Sequence, residues 1–306
     1  MLLLSFFFSV SCGTIKQKKK NKLVMEPRVS TVRVGGRRIA VVRYLTASPH
    51  QRVLFLHGTF VHPDCYRRLF AMFPNWDFVC PTLIGHGLNR CEETGTLDGE
   101  KQLQMLLEFV HEQKEDYTVL MGHSFGGTLA VHLNERRKFP RLVLLAPAFR
   151  VAPVVANTMF PNILLLPMWV MQVLASLLSR VTYPVVADPA FVADLTVTTR
   201  LQIAQERISD SLVLQASPIC DVFPYLLSMR TILEGMDGTD TLCSPTTTII
   251  LGEEDRVIDM PSIQQFLRGL GVRPVVIPGV GHEMFNEDKD KANTVQAAIL
   301  HCVQRD

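Results

Sequence analysis

The chain reads as an α/β architecture, a mostly parallel central sheet flanked by helices and interrupted by a helical cap insertion. Three observations predict it. Short apolar runs that end in glycine-rich turns, RVLFLHG, DFVCPTLIGHG, YTVLMGHS and RLVLLAPA, have the pattern of strands buried on both faces. Segments of helical periodicity separate several of them, and strand–helix–strand alternation implies parallel pairing. The rhythm stops near Val151 and resumes near Thr241, so the intervening segment is an insertion rather than a second tandem domain.

The elements follow in order. STVRVGGRRIAVVRYL holds two strands around a Gly35-Gly36 turn, a hairpin signal. RVLFLHG and DFVCPTLIGHG are the next two strands, and Leu103, Leu106, Leu107 and Val110 then recur at helical spacing. YTVLMGHS is a buried strand, the segment after Ser124 is helical up to about Lys138, and RLVLLAPA is the strand after it. No strand is expected from Val151 to about Thr241. There the apolar run PNILLLPMWVMQVLASLLSRV is broken by Pro161 and Pro167, which argues against a spanning helix. TTTIILGEED, a helix carrying Ile263, Phe266, Leu267 and Leu270, the strand in RPVVIPGVGHE and a last helix with Val295, Ile299 and Cys302 complete the chain. Residues 25–306 are thus expected to form one domain, with the cap at about 151–241 and a separate tail at 1–24.

That tail pairs an apolar stretch, MLLLSFFFSV, with KQKKKNK at 16–22. One reading is a lipid anchor on Cys12 reinforced by the lysines, two weak membrane signals of the kind that stable anchoring needs. The others are a solvated tail or a start at Met25. The expected location is therefore cytoplasmic or peripherally membrane-associated. A net charge of +2 gives no ground for a nucleic-acid partner. The seven cysteines are odd in number and scattered, without a CxxC pair or metal-like spacing, so reduced thiols are expected rather than a disulfide framework.

Gly122-His123-Ser124-Phe125-Gly126 is a G-x-S-x-G motif at the required place, between a strand and a helix. A nucleophile on so tight a turn needs small neighbours, and the helix N-terminus beneath it favours developing negative charge. A serine needs a base, and the base needs an orienting carboxylate. Asp255, in LGEEDRVID, and His282, in PGVGHEMFNE, each lie just past a predicted strand, at the sheet edge that carries the serine turn. Glu253, Glu254 and Asp259 are rivals to Asp255; Asp259, before Met260-Pro261, reads as a helix N-cap, and Glu254 is the main alternative. Two backbone N–H donors for an oxyanion would come from Phe125 and from Thr59, in the loop after RVLFLHG. His57 and His86 read as loop braces and His123 as a packing residue.

LFLHG, the IGHG turn, GHSFGG, GEEDRVID and GVGHEMFNE together resemble an α/β-hydrolase, in particular the branch of monoacylglycerol lipases and lysophospholipases. The resemblance runs from about Val29 onward. It implies Ser124 as nucleophile, Asp255 as acid, His282 as base, Thr59 and Phe125 as oxyanion donors, and no metal or organic cofactor. HGTFV stands where that family often has HGxGE, and Thr82-Leu83-Ile84 where an aspartate often precedes the GHG turn. Both departures fall on the alcohol or head-group side of the pocket. The cap, rich in Leu, Val and Met, includes Phe160, Leu164, Leu165, Leu166, Met168, Trp169, Met171, Leu174 and Leu177. Such a surface suits an acyl chain or a membrane. The expected activity is hydrolysis of a lipid ester. The alternatives are a small-molecule esterase, peptidase or C–C hydrolase on the same fold, or a non-catalytic binding protein.

Overall fold

The computed structural model describes residues 26–89, 99–149, 166–178, 184–186, 210, 216–218 and 240–304. The tail with Cys12, the cap residues Phe160, Leu164 and Leu165, and the side chain of Met168 lie outside them.

The strands are β1 (Arg28–Val34), β2 (Arg37–Tyr44), β3 (Gln51–Leu56), β4 (Trp76–Pro81), β5 (Val119–His123), β6 (Arg141–Leu145), β7 (Pro184–Val186), β8 (Ala216–Pro218), β9 (Thr247–Gly252) and β10 (Val275–Ile277). The helices are α1 (Arg67–Ala71), α2 (Gly99–Gln113), α3 (Phe125–Arg136), α4 (Met168–Leu178), α5 (Asp240–Cys243), α6 (Met260–Gly269) and α7 (Lys289–Val303). Eight strands form one sheet in the order β1-β2-β4-β3-β5-β6-β9-β10.

The first hairpin is antiparallel, with Val34 opposite Arg37 across the Gly35-Gly36 turn, and β2 runs antiparallel to β4. From β4 to β10 every neighbouring pair is parallel. The parallel centre is where the continuous apolar runs went: β4 and β5 are buried along their whole length. A strand covered on both faces has no solvent side to make polar, so it reads as a run rather than an alternation. Helix α3 beneath the sheet is buried on nearly all sides, from Phe125 to Val131 without a break. In α2, Leu103, Leu106 and Val110 face the core as their spacing requires. In α7, Val295, Ile299 and Cys302 do the same.

One expectation needs correction. β7 and β8 pair antiparallel inside the insertion, Val185 opposite Ser217, where no strand was expected. Each is three residues long and carries a proline, too short for period-two alternation to register. No helix among the described residues is long and apolar enough to cross a membrane. Cys65, Cys80, Cys243 and Cys302 are reduced thiols, held in no disulfide.

Candidate active site

Ser124 sits between β5 and α3 with φ 55° and ψ −123°. A non-glycine residue held there costs on the order of 1–3 kcal/mol and persists only where its surroundings enforce it. Here the enforcement is visible. Ser124 N–H donates to the Leu145 carbonyl at 3.0 Å, and its own carbonyl accepts from Gly127 N–H at 2.9 Å and Ala148 N–H at 3.0 Å. The flanking glycines are obligatory for contact reasons. A Cβ on Gly122 would lie 2.3 Å from the Gly126 carbonyl oxygen, and one on Gly126 would lie 2.2 Å from that of Leu56. α3 therefore starts pressed against the ends of both β5 and β3, with the Phe125 amide in its first turn.

The candidate base and acid, His282 and Asp255, lie on the loops after β10 and β9. His282 Nδ1 lies 2.7 Å from Asp255 Oδ2, and the Asp255 side chain is fully shielded from solvent. The other carboxylate oxygen, Oδ1, accepts from Val257 N–H at 2.8 Å and Ile258 N–H at 3.1 Å. A carboxylate can only accept, so Nδ1 carries the imidazole proton and Nε2 has the free lone pair. Glu254 is exposed, and its backbone N–H donates to the Val280 carbonyl at 2.9 Å. Glu253 N–H donates to Ile277 O at 3.0 Å, and its carboxylate accepts from Gly279 N–H at 3.1 Å. These two acids thus join the loops while Asp255 meets the histidine. Gly252 allows that closeness, since a Cβ there would lie 2.3 Å from the Val280 carbonyl oxygen. Asp259 accepts from Ser262 N–H as the N-cap of α6, as expected. Beyond His282, Glu287 Oε1 accepts from Gly281 N–H at 3.0 Å, and Asn286 donates to Glu283.

His123 does more than pack. Its Nε2 donates to the His282 carbonyl at 3.0 Å, since that oxygen can only accept. In the neutral ring Nδ1 is then an acceptor, and the Tyr66 hydroxyl donates to it at 2.8 Å. Tyr66 in turn accepts from Gly58 N–H at 2.8 Å. One directed chain of hydrogen bonds thus links the loop after β3, the residue before Ser124 and the loop carrying His282. Tyr66 is wedged between Phe55, with ring centroids 4.7 Å apart, and Phe285 at 4.8 Å. Sequence reasoning missed Tyr66, because nothing local connects a tyrosine after Pro63 to residues 123 and 282.

Thr59 lies at the turn after β3, partly buried, and Phe60 beside it has φ 65°. A second strained non-glycine residue therefore stands next to the loop that sequence reasoning singled out. His57 braces this loop: Leu83 N–H donates to its Nε2 at 3.0 Å, and its Nδ1 donates to the Gly58 carbonyl at 2.8 Å. Gln102 holds Ile84 through both its N–H and its C=O, each at 2.8 Å. The Thr82-Leu83-Ile84 segment is thus fixed by side chains from two other elements. His86 Nδ1 lies 3.0 Å from the Ile84 carbonyl in the same loop.

Only a neutral His57 can make both of its bonds. Burial, with the neighbouring His86 as a lesser cause, pushes its pKa well below the usual histidine range. Below about pH 6.5 the unfolded chain takes up a proton that the fold refuses, so stability present above that pH is lost as the pH falls toward the depressed value. The expected result is that His57→Gln flattens the decline of the urea midpoint between about pH 6.5 and 5 relative to the wild type. Parallel declines in the two proteins would exclude His57 as the cause.

Similarity to known proteins follows this geometry. "Lipase LipV" of Mycobacterium tuberculosis is 36% identical over 110 residues, 35% of this chain and 41% of that protein. The curated relatives that the chain matches are covered over only 36 to 43% of their own length. Among solved structures, a soluble variant of monoglyceride lipase from Saccharomyces cerevisiae, in complex with a substrate analog, superposes with a TM-score of 0.74 at 15% identity, covering 91% of this chain and 95% of that one. The monoacylglycerol lipase of Paleococcus ferrophilus gives a TM-score of 0.63 at 18% identity, covering 87% and 98%. At such identities these structures speak for the fold. The model of the Alpha/beta hydrolase family matches residues 53–297, from the strand before Thr59 to the helix after His282, and this chain belongs to that family.

Proposed function

We propose that the protein is a serine hydrolase that cleaves carboxylic esters of lipids, monoacylglycerols or lysophospholipids, through an acyl-enzyme on Ser124. The observation that carries this reading is the buried His282–Asp255 pair at 2.7 Å, tied through His123 to the strained Ser124 turn. His282 Nε2 takes the Ser124 hydroxyl proton as the oxygen attacks the ester carbonyl. The N–H groups of Thr59 and Phe125 receive the oxyanion, and Asp255 holds the imidazolium. Collapse of the intermediate expels the alcohol, which leaves with the proton from His282. Water activated by the same histidine then releases the fatty acid. None of these steps calls for a metal or an organic cofactor. The named activities of the similar lipases and monoacylglycerol lipases favour a lipid ester over the small-molecule alternatives.

The domain reading stays a proposal of the same kind: one hydrolase domain at 25–306 with a cap at about 151–241. Within that cap α4 contains no charged residue. Met171 is fully buried on one side, whereas Trp169, Val173 and Leu177, four residues apart, are 67%, 49% and 71% exposed. Residues at that spacing share a face. A stripe of Trp, Val and Leu turned to solvent suits a lipid surface, where Trp sits at the headgroup level.

On p-nitrophenyl esters, kcat/KM should rise from acetyl to decanoyl. A peak at acetyl with no turnover of decanoyl would move the protein to the small-ester alternative. Replacing Trp169 and Leu177 with glutamate should abolish co-sedimentation with phosphatidylcholine vesicles while turnover of a water-soluble ester persists. Unchanged sedimentation would dismiss the docking face.

A further inference from the structure

We propose that His62, Cys65 and Asp210 form a binding site for a divalent transition metal of the zinc type, separate from the Ser124 site. Their ligating atoms all lie within 4.8 Å of one another, the one such group among the described residues. His62 and Cys65 are buried, and His62 Nε2 is 2.8 Å from Asp210 Oδ2.

The local fold explains the pairing. His62 precedes a 3-10 turn, Pro63–Tyr66, that contains Cys65. A 3-10 turn has three residues per turn, so positions i and i+3 eclipse one another and present their side chains to one side. Asp210 arrives from 148 residues away to complete the group. Imidazole, thiolate and carboxylate are the three ligand types zinc uses, whereas calcium and magnesium demand oxygen shells that this set cannot supply. Ligand bonds of about 2.0–2.3 Å in a tetrahedron place N and O about 3.4 Å apart and N and S about 3.6 Å apart. The observed spacing therefore needs rearrangement of only about one ångström at its widest. With thiolate and carboxylate ionised the set carries two negative charges, which a dication neutralises. Three protein ligands leave the fourth position to water.

The position gives the site a consequence. His62 follows Thr59 by three residues on one loop, and Asp210 belongs to the insertion. A bound ion would fasten residue 210 to the loop proposed to hold the oxyanion.

Cobalt and zinc titrations of the full, chelator-treated chain test this. One equivalent of Co²⁺ should bring a thiolate-to-cobalt charge-transfer band, which Cys65→Ser abolishes. Asp210→Asn should weaken Zn²⁺ binding by roughly tenfold or more. Thermal melts of the metal-free variants check that each is folded. X-ray absorption of the zinc-loaded wild type, which needs no variant, should show one sulfur at about 2.3 Å and lighter ligands near 2.0 Å. A first shell without sulfur, or a cobalt band that survives in Cys65→Ser, overturns the proposal. Equal zinc affinity in Asp210→Asn does the same, and reduces His62 and Asp210 to a simple ion pair.

Discussion

Ser124→Ala is expected to lower kcat by roughly 10⁶-fold and to abolish labelling by a fluorophosphonate, with the thermal midpoint close to wild type. The size follows from what the side chain does in the proposed mechanism. Without the hydroxyl no acyl-enzyme forms, and only direct attack by water remains, helped by substrate binding and the oxyanion donors. The stability expectation follows from the turn. Its strain is held by backbone bonds to Leu145, Gly127 and Ala148 and by the packing of Gly122 and Gly126, none of which uses the hydroxyl. Alanine has the same Cβ as serine and meets the same φ. Labelling and KM with kcat must be read together: a variant that still takes the probe would place the nucleophile elsewhere.

The same turn marks how far the sequence alone could be read. Gly122 and Gly126 could be assigned a steric purpose from the motif, because a strand-to-helix reversal leaves no room for a Cβ on either side, and the structure supplies the colliding atoms. The parallel strands were legible for a related reason. Burial on both faces forces an unbroken apolar run, as in Val53 to Leu56, each of which is fully buried. What was not legible depends on contacts between distant residues. The Tyr66–His123–His282 chain spans three elements and uses no spacing rule. His62, Cys65 and Asp210 meet although cysteine spacing suggested no metal site, since the third ligand lies 148 residues from the first. β7 and β8 are too short to announce themselves. The resemblance pointed to Asp255, but the residues alone left Glu254 open beside it, because adjacent residues on a loop differ in direction, which composition does not encode.

That choice yields the second large effect. Asp255→Asn is expected to cost about 10⁴-fold in kcat, whereas Glu254→Gln should leave kcat within about threefold of wild type. Asparagine matches aspartate in shape but brings an NH₂ group as well as an oxygen. Oδ1 is already committed to the Val257 and Ile258 amides, which require an acceptor. The amide nitrogen must therefore face His282 Nδ1, where it can only donate. To accept that bond the imidazole would carry its proton on Nε2, the atom proposed to receive the Ser124 proton. The variant would keep its fold and lose its base. Glu254 has no comparable commitment: its side chain is exposed, and the bond that matters, to the Val280 carbonyl, comes from its backbone N–H and survives substitution. Measuring kcat for both variants from pH 6 to 10 separates the two effects, because the asparagine variant should regain rate at high pH as hydroxide substitutes for the lost base. If Glu254→Gln proved the more damaging, the acid would have to be reassigned to Glu254, and the 2.7 Å contact between Asp255 and His282 would be only a buried structural bond.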